Sequence, residues 1–227
     1  MRNSSRKFKI FFFYAKTFWY KSKFTYLCRT GTKKDIVMTN IAIFASGTGT
    51  NAENIIKFFN NSDIIRIGAV FSNSSSAGVI NKVKQLGINC HIFTKEELNN
   101  PNKVLKWLVD MNIDYIILAG FLLLIPKEIV KQFKGKIINI HPALLPKYSG
   151  KGMYGMNVHK AVKEANEPET GITIHIVDEQ YDKGDMLFQA KCQIDSNDSA
   201  EDIAAKVHEL EYKFFPKIIE EYITKER

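Results

Sequence analysis

An amide and an imidazole stand two residues apart and could act together on a carbonyl group. Asn139 lies in the apolar run Lys136–Ile140, which predicts a β-strand, and His141 follows it. Because alternate residues of a strand face the same side, we expect both side chains to point to one side of the sheet. The amide could donate a hydrogen bond to a developing oxyanion, and the imidazole could move a proton. A structural histidine would fit the same spacing equally well.

An acidic, glycine-containing loop follows a second predicted strand and could complete this chemistry. The alternating segment Gly171–Val177 predicts the strand, and the loop from Asp178 to Asp185 reads Asp-Glu-Gln-Tyr-Asp-Lys-Gly-Asp. A calcium site is the less favoured interpretation, because the loop lacks the spacing and the closing glutamate of an EF-hand. The favoured hypothesis is a carboxylate directed at His141, which would orient the imidazole and hold it charged.

A loop of small residues between a predicted strand and a predicted helix could hold an anion. The segment Ser46–Asn51 reads Ser-Gly-Thr-Gly-Thr-Asn, and the helix after it would offer free N–H groups and the positive end of its dipole. A dinucleotide fingerprint also begins at Gly47, but the next strand ends at Asn73 without the acidic residue that the ribose requires. We therefore expect a site for one phosphate monoester, with a plain tight turn as the other alternative.

Alternating strand and helix patterns supply the elements that would position these residues. Strands separated by helical patterns of roughly 10–15 residues imply βαβ units, in which ligands bind beyond the carboxyl ends of the strands. The predicted fold class is α/β, a Rossmann-like mostly parallel sheet with helices on both faces. We expect strands at 41–45, 64–71, 90–93, 115–118, 136–140 and 171–177, and helices at 51–60, 77–86, 101–111 and 200–222.

The composition excludes several classes of protein. The chain has 227 residues, of which 45% are hydrophobic and 25% charged, so it can bury a core and is not disordered overall. No apolar run approaches the roughly 20 residues of a membrane helix, which argues against an integral membrane protein. Three widely spaced cysteines exclude a disulfide scaffold and a Cys-type zinc site, and they fit the reducing cytoplasm.

The first 39 residues differ from the rest in charge and in pattern. They hold ten basic residues and one acidic residue, whereas the remainder holds 22 basic and 23 acidic groups. A nucleic-acid groove would show in the balance of that remainder, so no nucleic-acid partner is expected. Ten of the 27 aromatic residues also lie in this stretch, without a helical or strand period.

We expect residues 1–38 to be a basic aromatic extension that is disordered or not part of the native protein, with translation starting at Met38. An interfacial membrane anchor is the alternative, and the pattern does not fit a signal peptide. Residues 39–227 are expected to form a single domain.

Four motifs together resemble the phosphoribosylglycinamide formyltransferase family. They are Ala-Ser-Gly-Thr-Gly-Thr-Asn at 45–51, Leu-Ala-Gly-Phe at 118–121, Asn-Ile-His-Pro-Ala-Leu-Leu-Pro-Lys-Tyr at 139–148, and Thr-Ile-His-Ile-Val at 173–177 with Asp182. The resemblance runs from about Ile41 to Tyr222 in the family's order. It implies a formyltransferase fold and transfer of a formyl group from 10-formyltetrahydrofolate to the amine of 5-phosphoribosylglycinamide, a step of purine biosynthesis.

The resemblance also implies roles for individual residues. Catalysis would belong to Asn139, His141 and Asp182. The substrate phosphate would be held by Gly49, Thr50 and Asn51, and its ribose by Glu211, which is otherwise a plain surface charge. The folate pocket would be walled by Leu122, Leu123, Leu124 and Ile125, with main-chain hydrogen bonds to the pterin and contacts from Asn139 and Lys95.

Two differences from the family accompany the resemblance. The arginine that many members carry within 121–124 is absent, and the stretch 150–156 is longer than the common form. The resemblance implies no metal, no nucleic acid and no membrane, and a cytoplasmic monomer or homodimer.

Related enzymes and other classes of protein give the alternatives. Methionyl-tRNA formyltransferase has a similar His-Pro-x-Leu-Leu-Pro segment but needs a further C-terminal domain for tRNA. Formyltetrahydrofolate hydrolase carries an N-terminal regulatory domain, which the patternless first 39 residues do not suggest. A nucleotide-binding module without catalysis would have no use for the catalytic trio, and an NAD-dependent oxidoreductase would need the missing acidic residue.

Overall fold

The computed structural model describes residues 38–178 and 184–226. Within them, seven strands form one sheet: β1 Thr39–Phe44, β2 Ile65–Ser72, β3 Cys90–Ile92, β4 Tyr115–Leu118, β5 Ile137–His141, β6 Glu169–Ile176 and β7 Met186–Gln193. The strand order is β3-β2-β1-β4-β5-β6-β7. The first five strands are parallel, and β6 and β7 continue the sheet antiparallel. The prediction of a mostly parallel α/β sheet is confirmed, while β7 was not predicted.

Helices cover both faces of this sheet. Those in the described ranges are α1 Thr50–Phe59, α2 Gly78–Gln85, α3 Lys95–Leu98, α4 Lys106–Asp110, α5 Lys127–Gln132, α6 Met156–Glu164 and α7 Ala200–Lys225. A π-helical segment, Pro101–Leu105, leads into α4, so the helix predicted at 101–111 has two parts. Of the unpredicted helices, α3 and α5 span only four and six residues and show little of the 3.6-residue period, whereas α6 has nine residues, one more than the predicted α2. None of the helices in these ranges is long and apolar enough to cross a bilayer.

The sheet separates two apolar layers. Ile41 and Ile43 of β1 face α1, α2 and α7, whereas Ala42 and Phe44 face α5 and the helical stretch 101–110. All four side chains are fully buried. A strand buried on both faces is what a parallel sheet between two helical layers requires.

The loops after β1 and β4 meet at the carboxyl end of the sheet. Since β2 and β3 lie on one side of β1 and β4 and β5 on the other, these loops border the crevice in which such sheets bind ligands. The N–H of Ser46 donates to the carbonyl of Gly120 at 3.1 Å, and the N–H of Leu122 donates to Ser46 Oγ at 3.0 Å. Ser46 Oγ donates in turn to Asn73 Oδ1 after β2, at 2.6 Å. Ser46, the first residue of the predicted anion loop, therefore connects three strand ends.

Candidate active site

Asn139 and His141 occupy the carboxyl end of β5. Ile138 and Ile140 belong to the apolar layer beneath α1 and α7, so the strand alternation turns the two polar side chains to the opposite side. Asn139 is half-buried and His141 is buried. The third residue assigned to catalysis, Asp182, lies outside the described residues, as do residues 1–37.

Asn139 is oriented by a histidine on the antiparallel neighbour β6. Its Nδ2 lies 3.1 Å from His175 Nε2, and His175 Nδ1 lies 3.0 Å from the carbonyl oxygen of Ile176. A carbonyl can only accept, so His175 Nδ1 carries the hydrogen and Nε2 accepts from the amide. One hydrogen of Asn139 Nδ2 is thus used to fix the side chain, and the second can be donated to a substrate oxygen.

His175 had no predicted role, although it stands in one of the quoted motifs. The strand period placed it on the same face as Thr173. Only the antiparallel register, which pairs Asn139 with His175 and His141 with Thr173, brings it to the site. Nothing in the sequence specifies that register.

The ring of His141 is held by the backbone of a following loop. Its Nε2 donates to the carbonyl of Tyr148 at 2.8 Å. Tyr148 has a φ of 56°, a left-handed conformation that is uncommon for residues with a side chain. The hydroxyl of Tyr148 donates to Glu167 Oε1 at 3.0 Å, and Lys147 Nζ lies 2.8 Å from the same oxygen. Burial, followed by the bond to Glu167, raises the pKa of Tyr148. The contacts of Tyr148 and Lys147 with Glu167 therefore anchor the strained loop.

The predicted anion loop forms the start of α1. Gly49 precedes the helix with a φ of 73°, a conformation that glycine adopts without cost. A Cβ at this position would also lie 2.6 Å from Val79 Cα at the start of α2. The first N–H groups of any helix lack intrahelical acceptors, and none of the described side chains caps α1. The N–H groups of Thr50 and Asn51 can therefore face an anion.

A buried polar pair joins α1 to α7. Asn51 Nδ2 donates to Glu211 Oε2 at 2.8 Å, and the two residues are 8% and 4% exposed. His208 Nδ1 lies 2.7 Å from the same carboxylate oxygen, and this hydrogen bond raises the pKa of His208. Glu211 is thus not the surface charge that its place in a helix suggests, because two donors hold it at the inner face of α7.

His159 on α6 connects the two halves of the site electrostatically. It is 2% exposed, and its Nδ1 has no hydrogen-bond partner among the described residues. Burial lowers the pKa of His159 to about 4; the charge of His208 and, more weakly, that of His141 act in the same direction, and Glu211 opposes them. No role was predicted for His159, because the short helix that carries it was not predicted either.

The loop after β4 presents apolar side chains in alternation. Leu122 and Leu124 are 47% and 51% exposed, whereas Leu123 and Ile125 pack against the apolar layer below. Since the N–H of Leu122 already donates to Ser46, main-chain hydrogen bonds to a ligand would come from other groups of this segment. The exposed Lys95 begins α3, after β3 at the same end of the sheet.

By sequence, the chain matches one family model and several named relatives. A family model described as formyl transferase matches residues 39–219. The phosphoribosylglycinamide formyltransferase of Haemophilus influenzae is 35% identical over 187 residues, which cover 80% of this chain and 86% of that protein. The chloroplastic phosphoribosylglycinamide formyltransferase of Arabidopsis thaliana is 35% identical over 188 residues, which cover 79% of this chain and 63% of that protein. The chain thus spans slightly less than two thirds of the plant relative.

Solved structures give the same result. The phosphoribosylglycinamide formyltransferase of Bacillus halodurans superposes with a TM-score of 0.75 at 29% identity, over 83% of this chain and 97% of that one. The Coxiella burnetii enzyme, solved with CHES, gives 0.72 at 33% identity, over 80% and 85% of the two chains. Because the matched range contains the whole sheet, the β5 amide and imidazole and the start of α1, the chain belongs to the formyl transferase family.

Proposed function

We propose that this chain transfers the formyl group of 10-formyltetrahydrofolate to the amine of 5-phosphoribosylglycinamide, giving formylglycinamide ribonucleotide and tetrahydrofolate. One observation carries the proposal: an oriented amide beside an imidazole, together with an uncapped helix N-terminus and a buried carboxylate, at one end of the sheet. The relatives named phosphoribosylglycinamide formyltransferase favour this acceptor over others.

The acceptor would be held by α1 and α7. Gly49, Thr50 and Asn51 would bind its phosphate, since the helix terminus supplies N–H groups and a partial positive charge. Glu211 would accept hydrogen bonds from the ribose hydroxyls. The donors that already hold this carboxylate, Asn51 and His208, keep it in a fixed position.

The co-substrate would lie against the loop after β4. The exposed side chains of Leu122 and Leu124 give this loop an apolar surface that a flat pterin ring would cover, which fits the largely apolar lining of most ligand sites. Leu123 and Ile125 would support that surface from below. Lys95 is the proposed basic contact. When bound, the co-substrate supplies the electrophilic formyl carbon.

The β5 residues would act on the reacting groups. As the amine attacks, Asn139 would donate its second amide hydrogen to the formyl oxygen, where negative charge develops. Since its Nε2 is held by the carbonyl of Tyr148, His141 would stabilise the same oxyanion through the positive charge of its imidazolium. Asp182 would orient the ring and help move the proton. The bond between the amine nitrogen and the formyl carbon forms, the bond from that carbon to the folate nitrogen breaks, and the amine proton passes to the folate nitrogen.

A three-acceptor assay tests the proposal. The full chain is incubated with 10-formyltetrahydrofolate and, in separate reactions, phosphoribosylglycinamide, initiator tRNA or water alone, and formation of tetrahydrofolate is followed. We expect turnover only with phosphoribosylglycinamide. Turnover with tRNA or with water alone would contradict the proposal and indicate one of the related enzymes.

Variants then test the assigned residues. Asn139→Ala, His141→Gln and Asp182→Asn should each lower turnover on the order of 100-fold, with much smaller changes in the KM of either substrate. Lys106→Ala is the control, because Lys106 is exposed and, in the part of the chain that the structure describes, pairs only with Asp110 on the same helix α4. Normal turnover in any of the first three variants would show that the substituted residue is not catalytic.

A further inference from the structure

Pro216 interrupts the hydrogen bonding of α7 one turn beyond Glu211. The residue is buried in the interior of this 26-residue helix. Because proline has no N–H, the carbonyl of Tyr212, four residues earlier, lacks the donor that a regular helix would supply. The helix therefore offers one main-chain acceptor to a neighbour.

Asn54 of α1 uses that acceptor. Its Nδ2 donates to the carbonyl oxygen of Tyr212 at 3.0 Å. One turn earlier on the same face of α1, Asn51 donates to Glu211 at 2.8 Å. Two amides of α1 thus bind two consecutive residues of α7, and we call these four residues the α1–α7 clamp.

The clamp joins the two parts of the proposed acceptor site. The start of α1 would hold the phosphate and Glu211 the ribose, and the covalent structure of the substrate fixes the distance between those groups. A small shift of α1 along α7 would therefore weaken one contact or the other. On its other side α1 is held by Glu53, which pairs with Lys82 of α2 at 2.9 Å. That pair is partly exposed and constrains the helix weakly.

We propose that Asn54 is a positioning residue for the phosphoribosyl substrate, acting through the carbonyl that Pro216 releases. The inference rests on the proposed function. Asn54 reaches no substrate group itself, since its amide is directed at α7. Its hydrogen bond to Tyr212 fixes the position of the start of α1 along α7, relative to Glu211.

Steady-state kinetics of Asn54→Ala test the proposal. We expect the KM for phosphoribosylglycinamide to rise about fivefold, the size of one net hydrogen bond, while kcat and the KM for 10-formyltetrahydrofolate change less than about twofold. Asn54→Gln, which keeps an amide donor, should recover part of the loss. Lys57→Ala is the matched control on the same helix, because Lys57 is exposed and its one ion pair among the described residues is with Glu53, within α1. It should leave all three constants unchanged.

A second experiment combines Pro216→Ala with Asn54→Ala and measures the KM for phosphoribosylglycinamide. The restored N–H would compete with Asn54 for the Tyr212 carbonyl, so the two substitutions should be less than additive in the KM for phosphoribosylglycinamide. Should Pro216→Ala fail to fold, the Asn54 variants still decide the question. An unchanged KM in Asn54→Ala, or equal increases for both substrates, would overturn the positioning role. Absence of formyl transfer in the unmodified chain would instead refute the proposed function.

Discussion

The buried histidine of α6 should make folding stability sensitive to acid. His159 is 2% exposed, and its pKa is lowered from 6.5 to about 4. Between these pH values the unfolded chain binds a proton that the folded chain does not. Stability is therefore fully present above about pH 6.5 and is lost as the pH falls towards 4.

The size of the effect follows from the shift. One pKa unit corresponds to about 1.4 kcal/mol, so the displacement of the His159 pKa from 6.5 to about 4 is worth roughly 3 to 4 kcal/mol over the whole interval. At pH 5 the loss should reach roughly 2 kcal/mol. His208 contributes with the opposite sign, since its bond to Glu211 raises its pKa. Its stabilisation is present below about pH 6.5 and is lost as the pH rises, and it is small because half of that side chain is exposed.

Urea unfolding at pH 7.5 and pH 5.0, followed by tryptophan fluorescence, measures the difference. The unmodified chain should lose about 2 kcal/mol more on acidification than His159→Gln, which keeps a polar side chain without a titrating group. His91→Gln is the comparison variant. Burial also lowers the pKa of His91, but this residue is only partly buried and lies on the edge strand β3, so the substitution should reduce the acid sensitivity less than His159→Gln does. Equal losses in the unmodified chain and in His159→Gln would refute the reasoning.

Two further predictions concern the glycine loop and the N-terminal stretch. Gly49→Ala should lower the free energy of unfolding by at least about 1 kcal/mol, because the left-handed backbone and the contact with Val79 both oppose a side chain. It should also raise the KM for phosphoribosylglycinamide, while the KM for 10-formyltetrahydrofolate changes little. Gly47→Ala, with open space at its Cβ, is the matched control in thermal unfolding, and equal stability of the two variants would contradict this role. A chain beginning at Met38 should unfold at the same temperature and turn over at the same rate as the full chain, since the family match starts at residue 39; loss of folding would show that the first 37 residues are needed.

The sequence predicted those parts of the site that local pattern controls. Strand alternation placed Asn139 and His141 on one side of β5, and the small residues before α1 indicated a loop that opens a helix. The contacts that hold these groups come from other elements. Glu211 is buried because other elements, α1 among them, pack against α7, and His159 approaches the site because α6 forms, a helix that was not predicted. Such pairings depend on tertiary packing, which a pattern of residue types does not encode.

The reversal of strand direction at β6 explains how the amide on β5 is fixed. In the parallel part of the sheet, neighbouring strands bring their carboxyl ends together, so the partners of a site residue come from loops. β6 runs the other way, and its interior residues Thr173 and His175 lie opposite His141 and Asn139. Strand residues are held by ladder hydrogen bonds on both sides, which limits their movement more than a loop would. The antiparallel strand thus supplies Asn139 with a partner whose own position is set by the sheet, and this gives the amide a defined orientation before any substrate binds.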